Sequence, residues 1–85
     1  MSTTNLDSAE RDRRDRDWRL RLLDSRYRTT TLQLDLARLE YYQLRRDAGN
    51  SAEIARAEQK VVDLKQQRAA LRAELDELDE LEDLH

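Results

Sequence analysis

Only one residue in this chain is suited to stop a helix: there is no proline, and the single glycine, Gly49, stands a little past the middle of 85 residues. Proline removes an amide donor and clashes with the preceding turn, and glycine most readily takes the left-handed conformation that closes a helix. From Ser8 to Ala48 nothing breaks a helix, and roughly 40 residues at about 1.5 Å each make a rod on the order of 60 Å long. Gly49 is followed by Asn50 and then, at the capping-box spacing, by Glu53, the pattern of a helix start. A stop followed at once by a start predicts an all-α, antiparallel helical hairpin in a single domain. Residues 1–7 are expected as a flexible polar tail ending in a cap at Asn5 or Ser8, 8–48 as helix one, 49–50 as the turn and 51–85 as helix two.

Heptad spacing says which faces pack. Helix two carries one seam, Ile54, Ala57, Val61, Leu64, Arg68, Leu71, Leu75 and Leu78, in the alternating steps of three and four that a coiled coil requires. Helix one carries two. The first is Leu20, Leu23, Tyr27, Thr30, Leu34, Ala37, Tyr41, Leu44 and Ala48; the second is Trp18, Leu22, Ser25, Thr29, Leu32, Leu36, Leu39 and Gln43. At 100° per residue their centres lie about 160° apart, so a single partner helix covers only one of them. Folding at Gly49 and Asn50 gives facing residue numbers that sum to roughly 100, and both seams satisfy that register equally. Either set is therefore a candidate interface, and the seam left over calls for a second partner, since exposed leucine stripes mark interaction surfaces. The expected assembly is a dimer of hairpins forming a four-helix bundle, or a higher oligomer.

Charge favours the same fold. Residues 11–28 hold eight arginines against four aspartates, net +4, and residues 74–85 hold seven acids and no lysine or arginine, net −7. A hairpin sets these segments side by side, where the arginines offset acids crowded at the negative end of a helix. Arg11, Arg13, Arg14, Arg16 and Arg19 also form a candidate charged partner face, with Glu74, Glu77 and Glu80 opposite. Arginine clusters bind phosphates. Here, however, Asp12, Asp15, Asp17 and Asp24 stand four residues ahead of Arg16, Arg19, Arg21 and Arg28, the spacing of ion pairs within one helix. Asn5, Ala9 and Arg13, with Leu23 further on, resemble the basic region of leucine-zipper transcription factors, which would imply direct DNA binding. The pattern departs from that family at Ser8, Thr30 and Ala37, and Asp7, Asp12 and Asp15 would face the phosphates. Nucleic acid is accordingly not the expected partner. The acidic run has a second use, as a mimic of nucleic-acid charge in an inhibitor of a nucleic-acid enzyme, although Leu75, Leu78, Leu81 and Leu84 interrupt it at helical spacing.

Catalysis is not expected. His85 is the only histidine and there is no cysteine, so neither a zinc site nor a Glu-x-x-His di-iron pair can be assembled, and one glycine cannot make a phosphate loop. Ser25, Ser51 and Thr29 to Thr31 have no internal histidine to activate them. No cofactor, metal or small-molecule ligand is foreseen, and acids on a helix lack the carbonyl ligands of a hard-metal loop. With no disulfide available, oligomerisation is the expected source of stability for a small core. No apolar run approaches spanning length and residues 1–10 lack the features of a secretory signal, so the expected setting is the cytoplasm, without membrane contact. Arginine outnumbers lysine 14 to 2, a composition typical of GC-rich bacterial or phage genomes. The expected role is a non-enzymatic adaptor or small regulator that binds itself and another protein. Trp18, Tyr41 and Tyr42 are its bulky anchors, and Arg68 is a polar member of the seam whose stem snorkels outward.

Overall fold

The computed structural model describes residues 3–83, and the side chains of residues 9–80. Two helices, α1 (Thr3–Arg46) and α2 (Ser51–Asp83), pack against each other as a hairpin measuring 71 × 17 × 15 Å. Among the described residues there is no strand, and no helix is long and apolar enough to cross a membrane. The segment expected as a tail is helical from Thr3, so α1 begins well before Ser8. Once a helix is nucleated each added residue gains a hydrogen bond, and nothing in this segment breaks the ladder. The side chains of Asn5, Ser8, Leu81, Glu82 and Asp83, and residues 84–85 with His85, lie outside the described residues.

The turn spans more residues than the pair 49–50, and its chemistry differs from the expected one. α1 ends at Arg46, and Ala48, not Gly49, takes the left-handed conformation, with φ of 53°. The Gly49 amide donates to the carbonyl of Leu44 at 2.8 Å, the six-to-one bond of a Schellman motif in which Ala48 occupies the left-handed site and Gly49 the position after it. At 49 the absence of a side chain eases a close approach instead. A Cβ there would lie 3.1 Å from the Leu44 carbonyl oxygen and 3.3 Å from its Cδ2. Asn50 then caps α2: its Oδ1 accepts the Ala52 amide at 2.9 Å and its carbonyl accepts the Ile54 amide at 3.0 Å. Arg45 and Arg46 in the last turn of α1 and Glu53 in the first turn of α2 suit the ends they occupy.

The interior is one line of residues along the α1–α2 seam. Leu34 is fully buried at 0% exposure and packs with Ala37, Leu64 and the half-buried Val61. Leu23 and Thr30 on α1, and Ala57 and Leu78 on α2, complete the buried set. Lys60 Nζ approaches Glu40 Oε2 at 4.0 Å across the seam, and Leu44 lines a groove with Ala57, so paired numbers sum to 100 and 101 near the turn. Among the described residues so few are buried that the core is thin for a rod of this length. Thr31 Oγ1 donates to the Tyr27 carbonyl at 2.9 Å, turning its hydroxyl back on its own helix at the level where Thr30 thins the seam.

Candidate protein-interaction surface

The packing of α2 separates the two seams of α1. Leu20, Leu23, Tyr27, Leu34, Tyr41 and Leu44 are buried or half-buried inside the hairpin and are not free to meet a partner. On α2, Ile54, Val61, Leu64, Leu71, Leu75 and Leu78 face them, together with Ala57 and the half-buried Arg68. Ala48, the last member of the inner seam, is exposed because it belongs to the turn.

The second seam lies in water. Trp18 is 66% exposed, Leu32 61%, Leu36 59% and Leu39 55%, with Leu22, Ser25, Thr29 and Gln43 also exposed between and beside them. From Trp18 to Gln43 this stripe runs about 38 Å along the side of α1 away from α2. At Ser25 and Thr29 it borders an open groove of about 420 Å³ that Arg26, Thr30, Gln67, Ala70 and Leu71 also line, where the small side chains leave a notch. Tyr42 and Val62 add exposed apolar surface beside Arg38 and Lys65 on the other flank of the hairpin. Tyr41, with its ring 5.7 Å from that of Tyr42 and Arg45 stacked 5.6 Å above it, is half-buried.

The charged candidates separate into two groups. α1 has 44 residues and α2 has 33, so the N-terminal turns of α1, with Arg11, Arg13 and Arg14, run past the end of α2. Arg16 and Arg19 border a groove with Leu78, which brings the basic and acidic segments side by side. Glu74, Glu77 and Glu80 are exposed, yet among the described residues no arginine of α1 closes on them within bonding distance. The arginine–acid pairs that do close are internal to one helix, Arg28 with Asp24 at 3.2 Å and Arg72 with Asp76 at 3.5 Å. Exposed side chains of this length gain more freedom by remaining solvated than by holding a weak pair. Sequence reasoning did not single out Val62 or the Glu40–Lys60 pair. The pair was within reach, since the register places those two residues opposite each other.

Among the described residues no group of histidine, cysteine or carboxylate side chains is arranged to hold a metal ion. The geometry defines the chain as a two-helix hairpin with one face of its longer helix uncovered. Compared with known proteins, it matches no family model, no curated sequence and no solved structure.

Proposed function

We propose that the protein is a non-enzymatic coiled-coil interaction module that self-associates through the outer face of α1 and serves as an oligomerisation or adaptor element. The observation that carries this is the heptad run Trp18, Leu22, Leu32, Leu36 and Leu39, exposed on the side of α1 opposite its intramolecular partner. Isolated exposed leucines are ordinary, but a stripe in coiled-coil register buries its apolar area only when another helix lies along it. The thin interior of the hairpin supports the same conclusion, since a small cysteine-free unit gains stability by burying more surface between chains.

Light scattering on a size-exclusion column at two protein concentrations is the test. A dimer or larger assembly that Leu36→Glu converts to monomer is expected. A folded monomer at both concentrations would overturn self-association and assign the face to a helix of different sequence.

A second reading is favoured by one feature, the exposure of Glu74, Glu77 and Glu80 with no arginine of α1 within bonding distance of them among the described residues. Such a surface suits a regulator that occupies a basic groove of a nucleic-acid enzyme. Binding to a cationic column surface or basic protein that fails to weaken between low and high salt would remove it.

A further inference from the structure

The two edges of the exposed stripe carry an instruction about orientation. In its heptad, Leu22, Thr29, Leu36 and Gln43 take a positions and Trp18, Ser25, Leu32 and Leu39 take d positions. The flanking e positions are then Arg19, Arg26, Gln33 and Glu40, and the g positions are Arg21, Arg28, Asp35 and Tyr42, all of them exposed.

A second copy of α1 laid parallel on this face would pair g with the following e of its partner. Arg14 would then meet Arg19, Arg21 would meet Arg26, and Asp35 would meet Glu40. All three are like-charge contacts, which work against association. Its core would also stack Ser25 on Ser25 and Thr29 on Thr29, leaving two adjacent layers underfilled.

An antiparallel copy removes all of these like-charge contacts and replaces two of them with opposite charges. It pairs e with e and g with g, so Arg19 meets Glu40, Arg28 meets Asp35, Arg26 meets Gln33 and Arg21 meets the Tyr42 ring. Each contact occurs twice by symmetry. The core layers become Leu32 over Thr29, Leu36 over Ser25 and Leu39 against Leu22, so leucines of one chain fill the notches of the other. Those notches belong to the groove that Thr30, Ala70 and Leu71 also line.

We infer that the outer face of α1 receives a second copy of this chain running antiparallel, about a two-fold axis between Thr30 and Thr31. The two α1 helices lie together at the centre and the two α2 helices outside, in a flat row of four, because the inner and outer seams of α1 are nearly opposite. This rests on the self-association proposed above and adds to it the partner, the direction and the register.

The test uses the full chain, which has no native cysteine. Ser25→Cys and Leu36→Cys proteins, each checked for helical content, are mixed and treated with a short bis-maleimide, and the linked species are identified by mass. The expected product is the mixed 25–36 link, in several-fold excess over 25–25 and 36–36. Glu40→Arg, made together with Lys60→Glu so that the pair within the hairpin is kept with its charges exchanged, provides an independent reading, since it meets Arg19 in the antiparallel arrangement but relieves the Asp35 contact in the parallel one. It should weaken dimerisation by about tenfold at low salt, with Arg19→Glu in the same chain restoring it. A dimer giving the two same-site links, or strengthened by Glu40→Arg, overturns the antiparallel arrangement and leaves self-association standing. A dimer giving no link at either position overturns the use of this face. A monomer under all conditions removes both this inference and the self-association on which it rests.

Discussion

The amide of Gly49 donates to the carbonyl of Leu44 at 2.8 Å, and Ala48 between them carries the left-handed backbone angle that makes this bond possible. The usual division of labour at a helix end is thus shifted by one residue. The non-glycine bears the unfavourable φ while the glycine accommodates close approach.

Ala48→Gly should therefore raise stability. A left-handed angle costs a residue with a Cβ about 1–2 kcal/mol. Part of that gain is returned as extra freedom of the unfolded chain, so a net gain of about 0.5–1 kcal/mol is expected. Gly49→Ala should act in the opposite direction by about 1 kcal/mol, because its new methyl group crowds the Leu44 carbonyl. Chemical denaturation of both variants at one fixed protein concentration measures the difference, and equal effects would contradict the assignment.

Asn50→Ala removes the side-chain oxygen that accepts the Ala52 amide at 2.9 Å. The expected loss is about 1 kcal/mol, as for other helix N-caps. Asn50→Asp should retain most of the stability, since its carboxylate accepts the same bond beside the positive end of α2. Thermal melts followed by circular dichroism distinguish the two outcomes.

Leu34→Ala is expected to be the most damaging single truncation on α1. Among the described residues Leu34 is the one fully buried large side chain, and shortening a buried leucine to alanine costs about 2–5 kcal/mol. Few other buried residues remain to hold the helices together, so helical signal at 25 °C should fall sharply. Leu32→Ala, on the exposed stripe, should retain the hairpin's helicity while weakening association.

Leu36→Glu should separate the assembly without dismantling α1, because a carboxylate in place of an exposed leucine leaves the α1–α2 seam untouched. The midpoint of thermal unfolding in the parent protein should rise with protein concentration. In the variant that dependence should vanish, and a midpoint that still climbs with concentration would place the interface elsewhere.

Sequence periodicity alone reached as far as the α2 seam, since among residues 51–80 the eight positions from Ile54 to Leu78 in that spacing are the ones that lose exposure. It could not choose between the two faces of α1, because both carry leucines at the same repeat. The polar members hold the physical difference. Ser25, Thr29 and Gln43 interrupt the outer seam, whereas Thr30 is the only polar residue between Leu20 and Leu44 on the inner one apart from the phenolic tips. Helix ends were less legible. Ala48 adopts the angle that propensity assigns to Gly49, and the glycine stands one residue further on, close against Leu44.

The constant sum of facing residue numbers bears on how the chain folds. Each layer that closes leaves only a short additional loop to be ordered before the next one can form, which keeps the entropic cost of every step small. Assembly should therefore run like a zipper from Asn50 outward, through Leu44 and Ala57 to Ala37 and Leu64. Opening should begin at the far end, where Leu23 and Leu78 meet the last of the register. Amide exchange would then grade along both helices, slowest at the level of Leu34 and Leu64 and fastest at the level of Leu78, so that the chain behaves as a ladder of local stabilities rather than a single cooperative block.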